Sequence, residues 1–496
     1  MQASLLGEFV NRIIAASDYT EMDRTYLYNR LLNLLGEKDL PGDFRQTDLL
    51  TLVAKMVENY DDRLTKQQQS LLKAQLMDFL VPAPSRLNQK FWQKYQQQGS
   101  TAALNYFYHL SQASDYIKVS EIKKNKYFKF NSPYGPLEIT INLSKPEKDP
   151  RDIARLKTVK ASGYPLCQLC FSNEGYQGRL NYPARSNHRL IRFKLFEETW
   201  GLQYSPYAYF NEHCIFVDQQ HQPMKIERLT FARLLRILDL FPTYFVGSNA
   251  DLPIVGGSIL NHEHFQGGRH VFAMDQAKLR RKVVFKDFPA VQAGILHWPM
   301  SVIRLTSRDQ EQLIELAAKI LDGWQQYSDP TVSVLAETDG KLHHTITPIA
   351  RKRGAADQLD LVLRDNRQDQ QYPAGIFHPH ADVQHIKKKN IGLIEVMGLA
   401  ILPPRLVPEL TEVKRFLLDL PNQIADQHLP WAKQIKQQAG AINQANVTAI
   451  LQDAVGQVFT RVLEDAGVFK NDQSGQAAFD RFITTIGIQT EAKNAN

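Results

Sequence analysis

Cysteine is scarce, with three residues in 496, which excludes a disulfide-stapled scaffold. No run approaches the roughly 18 apolar residues a membrane span needs, since the apolar positions Leu235, Leu238, Leu240 and Phe241 are interrupted by Arg236 and Asp239. The first apolar stretch, MQASLLGEFVNRIIAASDY, lacks a basic leader and carries Glu8 and Arg12, so it reads as an amphipathic helix rather than a signal peptide. Long blocks of one charge are missing as well. The net charge is +7 and the isoelectric point about 9.0, yet the main basic runs are only Arg280-Arg281-Lys282 and Lys387-Lys388-Lys389. Runs that short read as solvated faces, so the positive balance favours small anionic ligands, with no nucleic acid and no membrane as partner. A reducing cytoplasm is the expected compartment.

What is present is ordinary for a globular chain of two or three domains, with 43% hydrophobic and 22% charged residues. Up to about residue 125 apolar residues recur at helical spacing, as in TYLYNRLLNLLGE and TDLLTLVAKMVENY, and Thr47-Asp48 reads as a helix start. The aromatic cluster Phe91, Trp92, Tyr95, Tyr106, Phe107 and Tyr108 reads as packing rather than as a ligand box. The period then changes. Tyr127–Phe130 and Leu137–Leu143 alternate around Ser132-Pro133-Tyr134-Gly135-Pro136, a hairpin signal. Lys145, Lys148 and Arg151 follow, with solvation and a phosphate grip as the two readings. A strand is expected at Cys214–Val217, a helix over Thr230–Leu240 and a strand at Tyr244–Val246. Later come a strand at Ser301–Leu305, a helix over Gln310–Tyr327, strands at Val332–Leu335 and Leu359–Leu363, and helices after Pro403-Pro404. Between the last helices, Gln and Asn crowd Asn422–Gln444, which suggests a solvated connection.

The chemistry concentrates in Asp251-Leu-Pro-Ile-Val-Gly-Gly-Ser-Ile-Leu-Asn-His-Glu-His-Phe-Gln-Gly-Gly268. On an extended strand His262, His264 and Gln266 would share one face. The flanking pairs, which include Gly256 and Gly257, allow close backbone approach and positive φ, and their amides suit a phosphate. Imidazole can be a metal ligand, a base or a nucleophile. Upstream, Cys167-Gln-Leu-Cys170 has the spacing of a metal or redox pair, or of two buried thiols.

The motif DLPIVGGS followed by His-x-His-Phe-Gln-Gly-Gly resembles the galactose-1-phosphate uridylyltransferase family, in the class found mainly in Gram-positive bacteria. Asn261 departs from the Ser or Ala expected before the first histidine. The resemblance covers roughly residues 125–410. It implies a mixed α/β (α+β) fold of two histidine-triad-like halves with antiparallel sheets, at 125–290 and 291–410, with helical additions at 1–124 and 411–496. It implies exchange of UMP between UDP-glucose and galactose 1-phosphate, giving UDP-galactose and glucose 1-phosphate, through a uridylyl-histidine at His264. Gln266 would hydrogen-bond phosphoryl oxygens, and its amide, where related hydrolases carry a third histidine, favours a transferase. A structural Zn²⁺ on Cys167, Cys170, His221 and His262 is implied, without an organic cofactor, and so is a homodimer. Asn181, Asn249 and Asp251 would contact the nucleotide, Gly256, Gly257 and Ser258 the phosphates, Lys145 and Lys148 would aid as cations, and Glu395 would bind sugar hydroxyls. His264's second ring nitrogen is expected to donate to a backbone carbonyl. A hydrolase or phosphorylase of the same fold and a zinc-stabilised nucleic-acid binder are the competing readings.

Overall fold

The computed structural model describes residues 5–36, 48–61, 63–144, 163–257 and 259–489. They fall into two compact units, one made of segments within 1–121, 145–208 and 214–221, the other of 122–144, 209–213 and 222–496. Among the described residues no helix is long and apolar enough to cross a membrane. The fold class is the mixed one expected, helices with predominantly antiparallel sheets.

Among the described residues of the first unit, six α-helices run from Leu5–Ala16 to Ser100–Ala113. The start read at Thr47-Asp48 is real, because the Asp48 carboxylate accepts the Thr51 amide at 2.9 Å. Apolar faces of the first four helices close a core that includes Leu5, Phe9, Ile13, Leu31, Val53, Met56 and Leu76. Strands Ile191–Leu195, Glu198–Tyr204 and Cys214–Asp218 form an antiparallel meander with Phe193 opposite Trp200 and Leu202 opposite Phe216. Helix Pro84–Gln98 is fastened to its first strand. Asn88 donates to the Leu190 carbonyl (2.9 Å) and accepts the Arg192 amide (2.7 Å), and the Trp92 indole donates to the Arg192 carbonyl (3.0 Å). The aromatic cluster is packing, as read: Phe91 meets Phe107 edge-on, and Phe107 lies 5.1 Å from Tyr204.

In the second unit one antiparallel sheet runs in the order Ile488–Gln489, Leu279–Phe285, Gln292–Leu296, Val302–Ser307, Ala356–Asp365, His344–Arg353, Phe245–Gly247, His264–Gly268. Helices Arg228–Leu240 and Gln310–Gln326 accompany it, and Trp324 on the latter donates to the carbonyls of Thr345 and Arg364, both at 3.1 Å. The predicted hairpin pairs Lys126–Ser132 with Gly135–Ile141, and Leu399–Leu402 adds in parallel to its second strand. This smaller sheet shares a core with helix Val447–Ala466 through Leu137, Ile139, Leu399, Phe459 and Val462.

Three local readings need correction. Val332–Leu335 is not a strand. Pro330–Val332 is a 3-10 turn whose Asp329 carboxylate accepts the Thr331 amide at 3.2 Å, so Asx-turn chemistry overrides β-branching. The Gln- and Asn-rich stretch holds a helix, Leu429–Gln438, with Pro430 in its first turn and Ala432 and Ile435 buried three residues apart. The motif strand begins only at His264, so His262 lies just outside it.

Candidate active site

Strand His264–Gly268 is held by its neighbour, with Gly247 opposite Gln266 and Phe245 opposite Gly268. Alternation puts His264 and Gln266 on one face. Ile349 faces Gly247 across the next pair and Thr345 faces Arg364 across the one after, so Thr345, Thr347 and Arg364 belong to the same face of the sheet.

His264 is buried and its Nδ1 lies 2.8 Å from the His262 carbonyl oxygen. An oxygen there can only accept, so Nδ1 carries the proton and Nε2 the lone pair. Burial pushes the pKa down to about 4, against a smaller upward pull from that hydrogen bond. The ring is therefore a neutral, oriented imidazole at physiological pH, with the backbone carbonyl partner expected from the sequence. Gln266 presents Oε1 to His213 Nε2 at 3.0 Å. Sequence reasoning missed His213, although it directly precedes the strand read at Cys214–Val217.

The loop before the motif strand is closed on itself. A Cβ at Gly256 would lie 2.5 Å from the Ala250 carbonyl and 2.6 Å from that of Leu252; one at Gly257 would lie 2.7 Å from Asn249 Nδ2. The close approach these glycines permit here is chain against chain. The positive φ falls on Ile254, at +72°, a strained position for a β-branched residue. Asn249 is buried, its Oδ1 accepting the Leu393 amide at 2.9 Å. Asp251 accepts the Ile226 amide (2.9 Å) and the Thr345 hydroxyl (2.5 Å). Glu395 is buried, ion-paired with Lys387 and within 3.2 Å of the Gly392 amide. Asn181 is exposed and accepts from Arg179 Nε at 2.6 Å. Lys145, Lys148 and Ser258 lie outside the described residues.

The Sγ atoms of Cys167 and Cys170 lie 3.5 Å apart, and Cys170 Sγ lies 3.1 Å from His221 Nδ1. Asn173 donates to both cysteine carbonyls at 2.8 Å, and Tyr182 braces Asn173 and the Cys167 carbonyl. Cys167, Cys170, His221 and His262 form a Cys2His2 group that could hold a metal ion such as zinc, with one ligand atom from each within 4.8 Å of the others. The donor set fits: tetrahedral Zn–S bonds place two sulfurs roughly 3.7 Å apart. Without an ion, burial raises the Cys167 thiol; a metal would reverse that by taking the thiolate.

The later histidines are engaged by the protein. His344 stacks on Trp324 at 3.9 Å, bonds the Trp324 carbonyl at 2.8 Å and meets Asp365 at 3.2 Å. His343 pairs with Asn366 at 3.0 Å, His378 lies 3.3 Å from the Pro379 carbonyl, and His380 sits 3.0 Å from the Ile376 carbonyl and 3.4 Å from Asp465.

Residues 17–223 match the family described as galactose-1-phosphate uridyl transferase, N-terminal domain, and residues 237–433 match its C-terminal domain. A galactose-1-phosphate uridylyltransferase of Ligilactobacillus salivarius is 58% identical over 98% of this chain and 99% of its own length. Galactose-1-phosphate uridylyltransferase 1 of Streptococcus pneumoniae is 55% identical over 98% and 99%. Among solved structures, yeast Ap4A phosphorylase Apa2 aligns with 71% of this chain and 95% of its own, at 9% identity and a TM-score of 0.35. With both of its family domains matched and relatives of this identity along nearly the whole length, the chain belongs to the galactose-1-phosphate uridylyltransferase family.

Proposed function

We propose that this protein exchanges a uridylyl group between UDP-glucose and galactose 1-phosphate, in galactose metabolism by the Leloir pathway. The observation that carries the mechanism is the 2.8 Å contact of His264 Nδ1 with the His262 carbonyl oxygen, which places the proton on Nδ1 and leaves the lone pair on Nε2. Nε2 attacks the α-phosphorus of UDP-glucose as the bond to the glucose 1-phosphate oxygen breaks, and both electrons leave with that oxygen. The uridylylated ring carries positive charge, which the Nδ1–H bond to the carbonyl stabilises. A phosphate oxygen of galactose 1-phosphate then attacks the same phosphorus, returning the lone pair to Nε2 and releasing UDP-galactose. Passage through a covalent intermediate lets the two sugar phosphates use one site in turn, with ping-pong kinetics.

Both leaving groups are phosphates, so the barrier is lowered by positioning and charge stabilisation rather than by proton donation. The Gln266 amide and the Gly256 and Gly257 backbone amides serve as donors to phosphoryl oxygens, Lys145, Lys148 and Ser258 as further contacts, and Asn181 as a nucleotide contact. Asn249, Asp251 and Glu395 serve by shaping the loops at the site, since their side chains are already bonded within the protein. Cys167, Cys170, His221 and His262 would hold a zinc ion, which would serve a structural role. The protein acts in the cytoplasm, where free thiols persist, as a homodimer.

Incubation with UDP-glucose and galactose 1-phosphate should release glucose 1-phosphate and UDP-galactose in equal amounts. Release of glucose 1-phosphate with UMP, or with UDP when inorganic phosphate is added, in place of UDP-galactose would favour a hydrolase or phosphorylase.

A further inference from the structure

Gln266 can aid transfer only if its amide faces the phosphate with its N–H groups, and an unrestrained glutamine amide rotates. His213 supplies the restraint. Its Nε2 lies 3.0 Å from Gln266 Oε1, and that oxygen can only accept, so His213 Nε2 must carry the proton. The opposite arrangement turns the Gln266 amide so that its nitrogen donates to Nε2, which moves the imidazole proton to Nδ1. Nδ1 is buried with no hydrogen-bond partner among the described residues, and the ring is packed beside Phe210 and Tyr209, with centroids 4.6 and 5.5 Å away. A buried N–H without an acceptor is the rarer and costlier defect, whereas a bare ring nitrogen among aromatic rings is tolerated. The packing thus selects the Nε2–H tautomer, and the tautomer selects the amide orientation.

His213 is itself registered on the strand that carries Gln266. Glu212, before it, has φ of +56°, and its carbonyl sits where a Cβ on Gly268 would be 2.6 Å away. The Glu212 carboxylate accepts the Tyr244 hydroxyl at 2.6 Å and lies 3.3 Å from the Arg269 guanidinium. The turn holding His213 is therefore clamped at Gly268 and Arg269, two and three residues beyond Gln266.

We infer that His213 is a positioning residue for uridylyl transfer: by donating Nε2–H to Gln266 Oε1 it turns the Gln266 NH2 group toward the phosphoryl oxygens, on the sheet face shared with His264. This rests on the function proposed above. It makes the donor permanent and pre-oriented, so no reorganisation accompanies the growth of charge on phosphorus. It also assigns the histidine no proton transfer.

The test has two parts. In wild-type protein with 15N-labelled histidine, long-range 1H–15N correlation should show His213 as the Nε2–H tautomer; a proton on Nδ1 would overturn the inference and needs no variant. In kinetics, His213→Met should lower kcat about tenfold, the scale of one hydrogen bond, with KM for UDP-glucose little changed. His213→Gln, which keeps a donor, should recover to within about threefold of wild type. In a Gln266→Ala background His213→Met should cost nothing more. An unchanged kcat in His213→Met, a Gln variant no better than Met, or additive losses in the double variant would each refute it. Failure of the underlying reading looks different: wild-type protein would not exchange uridylyl groups at all, while the tautomer could still be read.

Discussion

The buried, neutral His213 should leave a signature in the pH dependence of stability. Burial depresses its pKa to about 4, only partly opposed by the hydrogen bond to Gln266, whereas a histidine in an unfolded chain titrates near 6.5. Below pH 6.5 the unfolded chain takes up a proton that the native chain refuses. Stability is therefore fully present above about pH 6.5 and is lost as pH falls toward 4. Between pH 7 and pH 5 this one ring should cost about 2 kcal/mol, from roughly 1.4 kcal/mol per pH unit over the part of the interval in which the unfolded imidazole is charged. Other buried histidines add to the total, so the measurement is a difference. Urea unfolding of wild type and His213→Phe at both pH values should give a wild type that loses about 2 kcal/mol more than the variant. Equal losses would mean that the His213 pKa is not depressed, and a larger loss in the variant would reverse the sign of the reasoning.

Three further outcomes follow from the loop and the ligand group. Gly256→Ala drives a Cβ against two backbone carbonyls and should destabilise by about 3 kcal/mol, whereas Gly257→Ala presses on the Asn249 side chain alone, from Nδ2 to Cβ, and should cost about 2 kcal/mol because that side chain is held by the Leu393 amide; thermal or urea unfolding orders the two. Asp251→Ala strands the Ile226 amide and the Thr345 hydroxyl and should cost about 3 kcal/mol, with Asp251→Asn recovering part of it. Purified protein should contain about one zinc per chain by elemental analysis, and Cys170→Ser should lose most of it; full metal content in that variant would remove Cys170 from the ligand set.

Much of this site was legible because its signals are local. Strand alternation puts His264 and Gln266 on one face, and the Cys167-x-x-Cys170 spacing draws two thiols to within 3.5 Å. What escaped depends on residues distant in sequence. His213 matters only because the turn before it is clamped at Gly268, and a histidine beside a cysteine carries no mark of that. Asn249, Asp251 and Glu395 stand out as polar residues near a glycine motif, but their partners Leu393, Ile226, Thr345 and Lys387 are set by tertiary packing. The misread strand at Val332–Leu335 has the same lesson in miniature: β-branched residues signal a strand only where no aspartate and proline turn the chain first.

The most direct test of the account is mass spectrometry of the protein after incubation with UDP-glucose alone. The expected result is one uridylyl adduct per chain, mapped to His264, absent in His264→Ala and discharged by galactose 1-phosphate with formation of UDP-galactose. An adduct on any other residue, or full exchange activity in His264→Ala, would contradict it.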